Sequence, residues 1–272
     1  MNVADLAAPV CELARSAGAA ILAVYRRDFD VEIKDDRSPL TEADLASHHL
    51  LVDGLSALSP SLPVLSEESA EQIPASERLR WSRYWLVDPL DGTREFVKRN
   101  DEFTINIALI DDHQPVFGLV YAPALDELAW ALSVQGAWLL RNGERVALHA
   151  RRVPASPVIA ISRSHASAQT QAVLDAIGTH ETLAAGSALK FIRLAQGVAD
   201  LYPRMGPTSE WDTAAGQCVL EEAGGRLLDF AGVPFHYNRG DSLLNPGFLA
   251  FGDAAADWPQ RLRGVLPAQA QS

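Results

Sequence analysis

Trp85-Leu86-Val87-Asp88-Pro89-Leu90-Asp91-Gly92-Thr93 carries an apolar, strand-like run into an acid, a proline, a second acid and then Gly-Thr. Proline fixes φ and has no N–H, so the pattern predicts that the chain turns out of a sheet at Pro89. Gly92 lets backbone approach a ligand closely, and the amides after it can point N–H groups at an anion. Two carboxylates around a turn, with the Leu90 carbonyl between them, offer three oxygen donors to a hard divalent cation. The same residues are also compatible with a plain Asx turn in which Gly supplies the positive φ.

Acids elsewhere tilt the balance toward a metal. Leu65-Ser66-Glu67-Glu68 places two glutamates directly after another strand-like run, where α/β sheets tend to carry their sites. Asp44 follows Thr41 by three residues, as in a capping box. Asp212 stands at the start of a helix in Glu210-Trp211-Asp212-Thr213, where it can also serve only as a cap. Each alone is more often a solvated or capping acid; together they suffice for a site of two or three metals. Leu90-Asp91-Gly92-Thr93 also has the look of the D-x-D-G-T of aspartyl-phosphate phosphatases. Those need an acidic nucleophile two residues before the Asp, and here that position is Pro89, which disfavours a covalent route.

Around these motifs the chain reads as mixed α and β. Residues 3–26 have apolar positions at helical spacing, and a second helix starts at Thr41. Strands are predicted at Pro63–Leu65, Tyr84–Val87, Thr104–Ile110, Val116–Tyr121 and Leu128–Leu132, close enough together to make part of that sheet antiparallel. Beyond the Pro- and Arg-containing segment at 150–157 the pattern becomes an α/β alternation. Strands are expected at Val158–Ser162, Leu201–Tyr202 and Arg226–Leu228, and helices at Thr170–Ile177, Ala188–Gln196 and Thr213–Ala223. We therefore divide the chain into an N-terminal α+β half, 1–153, with most of the candidate metal ligands, and a C-terminal α/β half, 154–272, with Asp212.

The 272 residues include 35 acidic and 23 basic ones, a formal charge of −12. Such a surface repels polymeric nucleic acid and anionic lipid, and no Lys/Arg run offsets it. A merely soluble surface explains most of this charge, and bound divalent cations gain weight only from where the particular carboxylates above fall. Two distant cysteines, Cys11 and Cys218, suggest neither a disulfide framework nor a Cys metal site and fit a reducing cytoplasm. No apolar run reaching the ~20 residues of a membrane span is expected, nor is a cleaved signal peptide, because the N-terminus lacks a basic stretch before an apolar one. The oligomeric state is not legible.

Taken together, Leu65-Ser66-Glu67-Glu68, Asp88-Pro89-Leu90-Asp91-Gly92-Thr93 and Trp211-Asp212-Thr213-Ala214-Ala215-Gly216 resemble the motifs of the inositol monophosphatase superfamily in order and separation. The likeness runs from about Gly18 to about Phe251. Asp91 to Ala108, Gly186-Ser187-Ala188-Leu189-Lys190-Phe191, Leu201-Tyr202-Pro203-Arg204 and Leu244-Asn245-Pro246-Gly247-Phe248 look most like its bacterial 3′(2′),5′-bisphosphate nucleotidases of the CysQ type. Arg94 stands where Lys is usual, Asp101 where Gly is usual and Ser69 where Asp is common; none of these is a metal ligand.

The resemblance implies the layered α/β/α/β/α sandwich shared with fructose-1,6-bisphosphatase, with the site between the halves. It implies a Mg²⁺-dependent phosphomonoesterase that converts adenosine 3′,5′-bisphosphate to AMP and phosphate, and its 5′-phosphosulfate analogue to the corresponding phosphosulfate, as in sulfur assimilation. Lithium sensitivity and a cytoplasmic setting go with it, some bacterial relatives being peripheral to the inner membrane. By the same resemblance Glu67, Asp88 and the Leu90 carbonyl hold one Mg²⁺, and Asp88, Asp91 and Asp212 a second. Glu68, Asp44 and Thr93 place a third ion and the attacking water, the catalytic roles. The Gly92 and Thr93 amides receive the phosphate, and Ser162, His165, Gly186 and Lys190 meet the nucleotide, with Glu67, Leu90, Asp91 and Asp212 also bordering the substrate. The alternatives are an inositol-phosphate or other sugar-phosphate monoesterase, and a non-catalytic regulator that binds metal and nucleotide.

Overall fold

The strand that carries the acidic turn sorts its side chains by parity. Tyr84 and Leu86 join one buried cluster, Trp85 and Val87 another, because successive residues of a strand project to opposite faces. Both faces are covered, so the run reads as continuously apolar rather than alternating.

The computed structural model describes residues 3–29, 31–33, 39–59, 61–163 and 167–267. In chain order the strands are β1 (Val31–Ile33), β2 (Pro39–Thr41), β3 (Val64–Ser66), β4 (Arg83–Asp91), β5 (Thr104–Asp111), β6 (Gln114–Ala122), β7 (Glu127–Leu132), β8 (Gly136–Arg141), β9 (Glu144–Ala147), β10 (Val158–Ser162), β11 (Glu181–Ala185), β12 (Leu201–Arg204), β13 (Thr208–Ser209), β14 (Arg226–Asp229), β15 (Leu244–Asn245) and β16 (Phe248–Phe251). The helices are α1 (Ala4–Tyr25), α2 (Glu42–Leu58), α3 (Ala75–Arg78), α4 (Thr93–Val97), α5 (Ala168–Ile177), α6 (Leu189–Ala195), α7 (Glu210–Glu222) and α8 (Trp258–Leu262).

Strands β3 to β9 form a seven-stranded sheet in sequence order, parallel only between β3 and β4 and antiparallel elsewhere. A five-stranded sheet, ordered β11-β10-β12-β16-β14, is parallel over its first three strands and antiparallel at β16. Helices α1 and α2 cover one face of the larger sheet. Helices α6 and α7 fill the space between the sheets, and α5 and α8 pack outside the smaller one. This is the α/β/α/β/α layering expected. The middle layer is tight: a Cβ on Gly118 of β6 would lie 2.5 Å from the Ala215 carbonyl oxygen of α7, so only glycine lets α7 cross there.

One expectation is corrected, and two features add to the sequence reading. Pro89 does not take the chain out of the sheet; β4 continues to Asp91 through a bulge between Asp88 and Asp91, a place where a missing N–H is tolerated. Strands β8, β9, β11 and β16 are additions to the expected set; in the edge strands β9 and β11 nearly every residue faces solvent or is polar, which leaves no apolar rhythm. Finally, the 22-residue α1, with an 18-residue window of mean hydropathy 1.4, is long and apolar enough to cross a membrane by length and composition. In the fold its Leu6, Val10, Ala14, Ala17 and Ile21 are buried in the core beneath the large sheet.

Candidate active site

The bulge in β4 turns two carboxylates to the same side. Asp88 is sealed from solvent and accepts the Leu90 N–H at Oδ1, 3.0 Å away. Asp91 is held from the neighbouring strand, where Asn106 Nδ2 donates to its Oδ2 at 3.3 Å and Thr104 Oγ1 approaches at 3.4 Å. Thr104 and Asn106 are the polar alternates of the otherwise apolar Thr104-Ile105-Asn106-Ile107, and period-two spacing puts them on one face.

Asp212 reaches the same point from the other half of the chain. It is the third residue of α7, where its Oδ2 accepts the Ser209 N–H at 2.8 Å in a capping box. Ser209 is thus the N-cap and Asp212 its reciprocal partner. Oxygen atoms of Asp88, Asp91 and Asp212 lie within 4.8 Å of one another. Burial, joined by the like charges of Glu67, Asp91 and Asp212, holds the Asp88 carboxyl well above the usual carboxylate range. Burial likewise raises Asp91, and burial with Asp91 and Glu67 lifts Asp212 to about 8. Three carboxylates that resist ionising together, all oxygen donors, fit a hard divalent cation that would relieve both desolvation and mutual repulsion.

The glutamates follow β3 directly: Glu67 and Glu68 open the short 3-10 turn Glu67–Gln72. Glu67 acts electrostatically on both Asp88 and Asp212, while Glu68 lies by His48. His48 Nδ1 hydrogen-bonds to Ser66 Oγ at 2.8 Å and steadies the end of β3. Asp44 occupies the position expected of it in the α2 capping box, with Oδ2 accepting from Thr41 N at 2.8 Å and Thr41 Oγ1 at 2.7 Å. Its Oδ1 accepts from Thr93 Oγ1 at 3.1 Å. Thr93 Oγ1 also lies 3.4 Å from the Leu90 carbonyl.

A cleft opens from the carboxylates toward the C-terminal half, lined by Asp91, Gly92, Ser162, Gly186, Lys190 and Asp212 among others. His165 lies outside the described residues. Gly92 has φ +87, and a Cβ there would sit 2.0 Å from Ser187 Oγ, so glycine is required on both counts. Ser187 Oγ bridges the Asp91 and Glu102 carbonyls at 2.9 and 2.7 Å. The Glu102 carboxylate takes the Gly186 N–H and a two-pronged ion pair from Arg163, which, despite burial, holds its pKa low.

Lys190 lines the cleft, and its ammonium is also held by the chain itself. Its ammonium is buried, donates to the Ala185 and Ser187 carbonyls at 3.2 and 2.6 Å, and lies 4.9 Å over the Tyr202 ring. Burial lowers it to about 8 even though Asp91 pulls the other way. Arg204, at the end of β12, also lines the cleft; it donates Nε to Gly206 O and Nη2 to Pro207 O at 3.3 and 2.9 Å.

A family model described as the inositol monophosphatase family matches residues 2–259. A 3′(2′),5′-bisphosphate nucleotidase CysQ of Escherichia coli (strain K12) is 49% identical over 242 residues, covering 88% of this chain and 96% of the relative. The chain belongs to the inositol monophosphatase family.

A CysQ of Aggregatibacter actinomycetemcomitans is 39% identical, with 88% of this chain and 90% of the relative covered. Among solved structures, the CysQ of Bacteroides thetaiotaomicron, described as a bacterial member of the inositol monophosphatase family, superposes with a TM-score of 0.81 at 34% identity, covering 91% of this chain and 97% of that one. In this family member the sequence motifs converge as drawn above, whereas Ser187, Glu102, Asn106 and Arg204 emerge only from the fold. Of these, the polar Thr104-x-Asn106 alternation and the arginine after Tyr202-Pro203 were the available signals.

Proposed function

We propose that this inositol monophosphatase family member is a Mg²⁺-dependent nucleotidase that removes the 3′-phosphate of adenosine 3′,5′-bisphosphate. The observation that carries the reading is the meeting of Asp88, Asp91 and Asp212 within 4.8 Å, beside the Thr93–Asp44 hydrogen bond. The names of relatives 49% and 39% identical support the substrate.

Glu67, Asp88, the Leu90 carbonyl, Asp91 and Asp212 would hold two Mg²⁺ ions, with Glu68 beside a third. Bound there, Mg²⁺ supplies neutralisation of the phosphoryl oxygens and acidification of water. The chain's own residues supply position. Thr93 donates its hydroxyl hydrogen bond to Asp44, so its lone pairs can face a water that attacks phosphorus in line. The water oxygen forms the new bond to phosphorus. The bond to the ribose oxygen breaks, and its electron pair stays on that oxygen, which takes a proton from solvent. The water's proton passes through Thr93 to Asp44. The Gly92 and Thr93 amides receive phosphate oxygens as charge shifts among them. Ser162, Gly186 and Arg204 border the rest of the nucleotide, and Arg204 is the group suited to its 5′-phosphate.

The test is phosphate release from adenosine 3′,5′-bisphosphate and from inositol 1-phosphate, with Mg²⁺ and with EDTA. Release from the bisphosphate at higher kcat/KM, abolished by EDTA, is expected. EDTA-resistant release would overturn the metal assignment, and preference for the inositol ester would overturn the substrate.

A further inference from the structure

Helix α7 carries Asp212 in its first turn and Glu221 near its end, and beside Glu221 lies a second cavity of about 560 Å³. It shares no lining residue with the acidic cleft, and its size is that of a small-molecule site. Leu228, Pro234, Phe251 and Pro259 make an apolar side, and Gln217 and Glu221 a polar floor.

Glu221 makes no close ion pair among the described residues, the charge of Arg226 reaching it only from the lining. Both its hydrogen bonds fall on Oε1, from Gln217 Nε2 at 3.3 Å and Leu227 N at 3.5 Å, and both are long. Gln217 cannot turn to help further, because its Oε1 accepts from Tyr237 Oη at 2.5 Å. Arg226 stands exposed on the lining, and no ion pair joins it to Glu221 among the described residues. Burial raises the Glu221 carboxyl above the ordinary range although Gln217, the Leu227 amide and Arg226 pull the other way, the mark of a carboxylate whose desolvation is only partly repaid. The last carbonyls of α7 add partial negative charge at that end, and Asp257 adds a further acid to the lining.

We propose that this cavity binds a small organic ammonium ion, its charged head on Glu221 and its hydrocarbon body against Leu228 and Phe251. The floor asks for a cation. A bare metal ion is unsuited, because it wants six or so oxygen donors and the facing wall is hydrocarbon.

The probe is n-pentylammonium chloride, titrated into the full-length protein at physiological salt and followed by amide NMR shifts, with n-pentanol as the neutral control. Expected is one saturable event centred on residues 217–228, with the alcohol roughly tenfold weaker, the value of one charge-assisted contact. Glu221→Gln should weaken the amine by a similar factor. Ala255→Trp, built from an exposed residue of the lining, should abolish binding and keeps the test open if Glu221→Gln fails to fold. Binding should persist in Asp91→Asn, which separates this site from the nucleotidase reading. Equal binding of amine and alcohol, undiminished binding in both variants, or shifts centred on Gly92 and Thr93 would each overturn the proposal.

Discussion

Thr93 Oγ1 donates to Asp44 Oδ1 at 3.1 Å, joining the first turns of α4 and α2 across 49 positions of sequence. Asp44's other oxygen is committed to the α2 cap, so the two residues differ in what their loss removes. Thr93→Ala takes away only the oriented hydroxyl and should lower kcat by roughly 10²–10³-fold with KM nearly unchanged. Thr93→Ser should keep most of the activity. Asp44→Asn should lose as much kcat and also about 1 kcal/mol of stability through the weakened cap. Steady-state kinetics beside urea unfolding separates the two, and a Thr93→Ala enzyme turning over normally would remove this pair from the chemistry.

Asp91 faces the cluster because β5 and the Ala188 amide hold it there. Asp91→Asn keeps the shape and removes the charge. Turnover should fall by ~100-fold or more, the scale on which one stabilising group is lost. Near-normal Mg²⁺-dependent activity in this variant would refute the placement of Asp91 at the reacting phosphate.

What was legible in the sequence was what local chemistry enforces. Asp88, Asp91 and Gly92 stand out because proline and glycine punctuate a strand, and Asp44 and Asp212 because a helix start has free amides to satisfy. Even there the local rule misled once: Pro89 reads as an exit from the sheet, but the bulge absorbs it. Convergence was not legible. Ser187 meets Asp91 across 96 positions and Glu102 meets Arg163 across 61, pairings that only the packing of two sheets around α6 and α7 creates. Burial of Lys190 was hidden for the same reason, since its helix gives no hint of which side faces the cleft.

The clash at Gly92 predicts its own variant. Gly92→Ala must move Ser187 or the turn, because its Cβ falls 2.0 Å from Ser187 Oγ at φ +87. A cost of roughly 1–3 kcal/mol is expected for the strained backbone alone, with loss of activity as the carboxylates shift. Gly92→Ala paired with Ser187→Ala should recover part of the stability in thermal melts and little of the turnover.

The raised carboxylates give a pH dependence of definite sign. Asp212 titrates at about 8 in the fold rather than near its ordinary value of 3.8, so the folded state prefers it protonated. Stability from this group is complete below the ordinary value and is lost as pH climbs to about 8. Metal-free protein should therefore gain from Asp212→Asn at pH 8, by at least about 1 kcal/mol or roughly 2–4 °C in Tm. The gain should vanish near pH 4, where both forms are neutral, and shrink at pH 8 when Mg²⁺ is added. The amide oxygen can still accept the Ser209 N–H, so the cap survives. A variant less stable than the parent in EDTA at pH 8 would contradict the electrostatic account.

Lys190 and Arg204 both line the cleft, yet the structure gives them unequal freedom. The Lys190 ammonium is buried against two carbonyls and the Tyr202 ring, so Lys190→Ala should empty a packed position and cost stability along with binding. Its effect on KM then spreads over every substrate, because the Ser187 turn it supports borders Gly92. Arg204 is partly exposed and holds a guanidinium beside the cleft. A second phosphate away from the metals needs such a planar, permanently charged partner. Arg204→Ala should raise KM for adenosine 3′,5′-bisphosphate by roughly tenfold, as expected for one charge-assisted contact, and leave KM for inositol 1-phosphate nearly unchanged. Arg204→Lys should recover only part, since an ammonium keeps the charge but loses the fork. Equal KM changes on both esters in Arg204→Ala would move the 5′-phosphate elsewhere in the cleft.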